Sequence, residues 1–363
     1  MPRKTDVFIV GGGPAGLAAA IAARRRGFTV TVADVARPPI DKACGEGIMP
    51  DGLAAARAIG VSLDSATAHR FRGIRFRDRD WTAEASFPFG YGLGLRRTVL
   101  HEILVACAAG AGVHLLWGER ISSLDDIRAR WIVGADGGDS RVRRWAGLDA
   151  RRRDTQRFGF RRHYDAAPWS EFVEIVWGDR FQLYVTPISP REVCVALICA
   201  DPCLRLDDAV GRFPELARRL GPPRGPIRGG ITASRQLRAV CGGRVALIGD
   251  ASGSVDAIAG DGLCLAFRQA EALAGALAAG DVSAYGSAHR RLARRPRLMS
   301  DLLLLLDRWS RVRHPVVRAF ARHPGWFARA LAMHVEQRAR GPHALGHAGV
   351  ADGVLPKPGT QLN

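Results

Sequence analysis

Residues 5–34 read TDVFIVGGGPAGLAAAIAARRRGFTVTVAD, and the glycines in this stretch leave few ways to fold it. An apolar run over 5–10 meets Gly11, Gly13 and Gly16 in the spacing G-x-G-x-x-G. An alanine-rich helical pattern runs on to Gly27, and the alternating segment FTVTVAD ends at Asp34. Strand, glycine turn, helix and strand make one βαβ unit. The glycine spacing alone is a weak signal. Flanked by a strand, a helix and an acid about 20 residues on, it reads as a dinucleotide cradle. Gly11 permits the tight turn, Gly13 lets the backbone approach a pyrophosphate, and Gly16 lets helix and strand pack closely. Pro14 and Ala15 open the helix, whose free N–H groups and positive dipole end favour an anion. Asp34 is placed to accept bonds from ribose hydroxyls.

Beyond this unit the pattern changes. Residues 51–60 and 98–109 read as helices, 113–117 and 131–135 as strands, and 70–89 as alternating strands. Three strand-like runs, FVEIVW, FQLYVTPI and EVCVALICA, fill 172–199 and suggest an antiparallel patch. A further strand is expected at 244–249, a long helix at 262–279, and helices over 299–337 with LLLLL at 302–306 as a buried or interfacial face. The Gly-, Pro- and Ala-rich stretch 340–363 reads as a tail.

With 363 residues the chain is long for one core and suggests two lobes. No apolar stretch reaches the 18 or so residues of a membrane span, and the basic N-terminus runs into a strand without a cleavage pattern. Seven cysteines, an odd count with no C-x-x-C pair, argue against a disulfide framework and against a zinc site, and fit a reducing cytoplasm. Net charge is +18, from 53 basic and 35 acidic residues, and only Lys4, Lys42 and Lys357 are lysines. Either the arginines form a surface for anionic lipid or an acyl-carrier partner, or they reflect biased codon usage. They are dispersed and no nucleic-acid motif accompanies them, so no nucleic-acid partner is expected.

Three segments in this order resemble the flavoprotein hydroxylase superfamily, whose FAD domain has the p-hydroxybenzoate hydroxylase fold: the N-terminal βαβ unit, IVGADGGDSRVRR at 132–144, and RVALIGDASGSVDAIAGDGLCLAFRQAEAL at 244–273. The resemblance implies an α/β fold with a Rossmann-type, glutathione reductase-like FAD lobe and a discontinuous antiparallel-sheet substrate lobe. The FAD lobe would take 1–70, 90–155 and 235–298, and the substrate lobe 71–89 and 156–234. Helices over 299–339 would close it. It also implies that Asp136 lies by the FAD pyrophosphate and that Gly249 and Asp250 bind the ribityl chain. Gly260, Gly262 and Leu263 would face the flavin, and Arg97 the phosphates. An ordinary capped turn at Asp136 and a solvated helix-start arginine at 97 are the competing readings of the residues. Two features depart from the family: Ala257 stands where a proline is common, and the strands between Gly118 and Ala135 look trimmed.

The loop KACGEGIMP at 42–50 carries a lone cysteine. Cys44-Gly45-Glu46-Gly47 resembles an element of the geranylgeranyl reductase branch, as does YVTPI at 184–188 of its substrate-facing strand, with Tyr184 and Pro187 at the cavity. Cys44 is then a proton donor for double-bond reduction, or a small polarizable side chain packed against the flavin, or unrelated to it. Glu46 is a second candidate acid, and Tyr184 is the third catalytic candidate. The readings carried forward are an FAD-dependent reductase of a lipophilic isoprenoid or polyketide, a flavin monooxygenase of a polyketide or aromatic ring, and a non-catalytic, basic flavin-binding protein that docks on a membrane or a carrier. With no second G-x-G-x-x-G, NAD(P)H would visit only transiently. The expected location is cytoplasmic, peripheral to a membrane if the docking contact holds.

Overall fold

The computed structural model describes residues 5–64 and 67–335, so the tail expected at 340–363, and the end of the last helical segment, lie outside the described residues. A six-stranded sheet forms around the N-terminal unit in the order 241–242, 245–247, 129–134, 5–10, 30–34, 114–117. Its strands are parallel except for the edge pair 241–242 and 245–247. The strand Thr5–Val10 lies between Val30–Asp34 on one side and Ala129–Gly134 on the other. Successive connections thus run first to one side of it and later to the other, and a crevice opens over its carboxyl end. Helices Pro14–Arg24, Arg97–Gly110 and Gly262–Ala278 share one continuous core with this sheet. The short, alanine-faced helix Pro14–Arg24 packs against both of the other two, because small side chains let helix axes approach.

A seven-stranded sheet follows the order 223–237, 151–164, 192–199, 181–189, 172–177, 73–78, 81–86. It is antiparallel apart from the pairing of Phe172–Trp177 with Gly73–Asp78. One core packs on each face. A three-stranded sheet of 47–48, 92–94 and 69–71 joins the cysteine loop to the rest. Helices Val282–Arg308, Ser310–Arg322 and Pro324–His334 complete the described fold, the last two lying over the strand Trp81–Ser86. No strand forms between Trp117 and Ala129, in keeping with the trimmed meander.

Two elements differ from the sequence reading. The segment 151–162, where the sequence reading names no strand, is most of a 14-residue strand, Arg151–Tyr164, paired along its length with Pro223–Leu237. Its inward positions are polar: Arg157, Arg161 and His163 are buried, so no apolar alternation marks it. The helix expected from 299 begins at Val282 and runs through Pro296, where arginines at 290–297 mask the helical period.

Candidate active site

One cavity of about 1410 Å³ runs from the glycine turn to the C-terminal helices. Gly11, Gly13, Pro14, Ala15 and Asp34 line one end. Asp136, Arg97, Gly249, Asp250, Gly260, Gly262 and Leu263 follow, and Cys44, Gly45, Glu46 and Tyr184 border the remainder. Phe71, Phe76, Ile175, Leu303, Leu306 and Phe327 give that remainder apolar walls.

Two candidates lie outside the lining. Gly16 sits beneath the turn, where an added Cβ would come 1.9 Å from the Gly11 carbonyl oxygen, so its role is packing. Pro187 is the correction. Along the strand Phe181–Ser189, Tyr184 and Thr186 share the cavity face and Pro187 points the other way, its carbonyl against Gly94. Thr186 is the lining residue that two-residue alternation from Tyr184 would have found, and its hydroxyl donates to the Gly45 carbonyl at 2.8 Å.

The glycine turn is held from several sides. Gly11 has φ +111°, and a Cβ there would lie 2.3 Å from the Ala135 carbonyl oxygen. The Asp34 carboxylate accepts from the N–H of Gly12 at 2.7 Å and of Ala36 at 2.8 Å. The buried His101, absent from the sequence reading, meets the Gly12 carbonyl through Nε2 at 2.9 Å. Gly13 differs from its neighbours: nothing lies within 4 Å of a Cβ built on it, and it faces open cavity.

The two downstream motifs are tied together by Arg143, whose side chain is fully buried. Its guanidinium donates to Asp149 at 2.6 Å, to the Gly138 carbonyl at 2.8 Å and to the Ala251 carbonyl at 3.2 Å. Asp136 caps the helix Arg141–Trp145, accepting from the N–H of Arg141 and Val142, while still lining the cavity. Asp250 faces Lys42 across 3.5 Å.

Around Cys44 the chain builds a buried polar knot. Glu46 adopts φ +59° with its carboxylate inside the protein. Its Oε1 accepts from the Arg97 N–H at 2.9 Å, its Oε2 lies 2.7 Å from His163 Nε2, and Arg161 Nε lies 3.5 Å away. A left-handed, non-glycine residue costs about 1 kcal/mol or more and persists only where its surroundings hold it. These contacts, and the Leu95 N–H donated to the Glu46 carbonyl, do so. Glu46, His163 and Cys194 bring ligand-type atoms within 4.8 Å of one another. The adjoining guanidinium makes that shell unfavourable to a cation. Burial pushes the Cys44 thiol up; Arg97 and Arg161 pull it down and Glu46 pushes it further up, leaving it protonated at neutral pH. The Tyr184 hydroxyl donates to the Ile258 carbonyl at 2.8 Å, and burial raises its pKa too.

Residues 9–38 match the model of the NAD(P)-binding Rossmann-like domain. The chain is 27% identical to the menaquinone reductase of Mycolicibacterium smegmatis over 87% of its own length and 88% of the relative's. It is 30% identical to a digeranylgeranylglycerophospholipid reductase of Methanosphaera stadtmanae, over 40% of this chain and 42% of the relative. Among solved structures, p-nitrophenol 4-monooxygenase of Pseudomonas putida superposes with a TM-score of 0.77 at 18% identity, covering 93% of this chain and 99% of that one. A protein of Rhodococcus erythropolis named for 2-heptyl-3-hydroxy-4(1H)-quinolone synthesis is 31% identical across 94% of this chain and 92% of its own. The chain belongs to the FAD-dependent oxidoreductases.

The residues present suit the flavin that this family carries. Arg97 is buried at the cavity wall, and its Nη1 has no hydrogen-bond partner among the described residues. A buried, unpaired guanidinium nitrogen is costly unless an anion meets it. Arg96, its neighbour, is occupied by Glu192. Of the two arginines, only Arg97 lines the cavity and is therefore free to face a diphosphate. Gly13 leaves room for that diphosphate, and the N-terminus of the helix Gly262–Ala278 opens on the same cavity.

Beneath that helix N-terminus, burial raises the Asp261 carboxyl to about 6, with His334 drawing it down and Asp51 pushing it up. The folded chain therefore holds a proton there that the unfolded chain releases near 3.8. Stability contributed by this group falls as pH rises from about 4 to 6 and stays lost above. Asp261→Asn is expected to flatten melting temperature across that window and to be about 2 kcal/mol more stable at pH 7. Thermal unfolding across pH checks it, and parallel profiles for both proteins would refute it.

No helix among the described residues is long and apolar enough to cross a membrane.

Proposed function

We propose that this oxidoreductase reduces carbon–carbon double bonds of a lipophilic isoprenoid or polyketide substrate. The observation that carries the reading is the Cys44 thiol on the wall of a cavity that is glycine cradle at one end and apolar at the other. A flavin held by Gly13, Arg97 and Asp250 would supply the hydride for one carbon of the double bond. The other carbon needs a proton. Of the three candidate acids, both Glu46 oxygens are engaged and the Tyr184 proton is committed to a carbonyl. Cys44 retains a proton to give, and Arg97 and Arg161 would stabilise the thiolate left behind. Phe71, Phe76, Ile175 and Leu303 would hold an apolar chain and keep water out. NAD(P)H is the proposed donor, meeting the flavin transiently. The names of the menaquinone and digeranylgeranylglycerophospholipid reductases support a lipophilic, prenyl-bearing substrate.

A second reading is hydroxylation with the same cofactor. What favours it is 32% identity, over 40% of this chain, to the 6-methylpretetramide 4-monooxygenase of Streptomyces rimosus. Oxygen dependence separates the two. With NAD(P)H and a geranylgeranyl phospholipid in detergent, turnover should continue in sealed, oxygen-free solution. Turnover that stops without oxygen would select hydroxylation.

A further inference from the structure

The cavity opens beneath an apolar rim. On the helix Val282–Arg308, Leu298, Leu302 and Leu305, with Trp309 just beyond, recur at spacings of four, three and four residues, which places them on one helical face. Together with Val312 they are between 41% and 59% exposed. Leu302, Leu305 and Val312 also line the cavity, so the apolar lining continues outward onto the surface. Cavity mouths facing water are ordinarily rimmed by polar residues, and a contiguous exposed apolar stripe marks a contact surface.

Charge says what the contact is. Residues 290–322 hold ten arginines and two acids, Asp301 and Asp307. Both acids are paired with arginines of the neighbouring sheet, Asp301 with Arg153 and Asp307 with Arg157. Arg308 and Arg311 are exposed on either side of Trp309, and the Arg308 guanidinium lies 5.4 Å from the Trp309 ring centroid. An apolar helical face with a tryptophan and flanking arginines is the pattern of a helix lying in a membrane interface, its apolar side among acyl chains and its cations at anionic headgroups.

We propose that this rim docks on the surface of a bilayer containing anionic lipid, so that a lipophilic substrate passes from the membrane into the cavity between Leu302, Leu305 and Val312 without crossing water. The role of the passage rests on the reductase reading; the docking itself does not.

The test is co-sedimentation of the flavin-loaded protein with phosphatidylcholine vesicles, with and without phosphatidylglycerol, at low and high salt. Wild-type protein is expected to pellet with the anionic vesicles, less so as salt rises. Leu298→Glu combined with Trp309→Glu, neither of which lines the cavity, is expected to weaken partitioning by about 30-fold or more. The same variant should keep its flavin spectrum and its turnover of substrate presented in detergent. Wild-type protein remaining in the supernatant overturns the proposal. So does equal pelleting of the double variant, which would assign the attraction to dispersed arginine charge. Selective retention by an acidic carrier protein, with no vesicle binding, also overturns it. Failure of the wild-type protein to dock, with its turnover in detergent intact, would sink this surface alone, whereas docking without double-bond reduction would sink the reductase reading alone.

Discussion

Gly13→Glu is expected to give a folded, colourless protein. Gly13 has φ −71° and ψ 178°, a conformation that any residue adopts, and a Cβ there meets nothing within 4 Å. The substitution therefore imposes no backbone strain and no clash on the apoprotein. It does place a carboxylate where the turn and the helix Pro14–Arg24 would receive a diphosphate. Like charges brought together in a partly desolvated site cost several kcal/mol, so FAD affinity should fall by at least about 10³-fold. Flavin absorbance after purification and titration with added FAD measure it, with circular dichroism as the control for folding. Gly16→Val would be a poor substitute, since its Cβ lies 1.9 Å from a backbone oxygen and loss of flavin would then report loss of fold. A yellow Gly13→Glu protein with full flavin content would contradict the placement of the cofactor.

Cys44→Ala should leave FAD bound and slow double-bond reduction by about 10² to 10⁴-fold, the range a positioned general acid supplies. The side chain lies at the cavity wall, and its Sγ accepts the Glu46 N–H at 3.4 Å, a weak bond whose loss the left-handed turn can bear. Glu46 stays in place through Arg97, His163 and Leu95. Flavin reduction by NAD(P)H should be unchanged, which separates loss of the proton source from damage to the cradle. Unchanged substrate turnover would make Cys44 a packing residue and remove the observation on which the reductase reading stands.

Those two positions were legible in the chain for different reasons. Gly13 belongs to a local pattern, since strand, turn, helix and acid lie within one βαβ unit and each has its own periodicity or spacing. Cys44 was legible only as an oddity that a resemblance made meaningful. The residues that hold its loop were not legible. His163 and Arg161 lie 117 and 115 residues from Glu46 and arrive on a strand whose inward face is polar. The pattern that finds strands looks for apolar alternation, and here arginine and histidine occupy those positions to meet buried acids. Arg157 is a further case: it joins Asp256, just before the helix Gly262–Ala278, to Asp307 on the helix Val282–Arg308, contacts that exist only after three distant segments assemble. Reading YVTPI as a unit misplaces Pro187, because two-residue alternation puts Tyr184 and Thr186 on one face and Pro187 on the other.

The most direct measurement is a single turnover in the absence of oxygen. Flavin-loaded protein is reduced chemically, mixed with a geranylgeranyl phospholipid in detergent, and the lipid extracted for mass spectrometry. The account predicts reoxidation of the flavin and a lipid that has gained two hydrogens at one double bond. Flavin that stays reduced beside unchanged lipid, with an oxygen atom appearing in the lipid only when air is admitted, would contradict it.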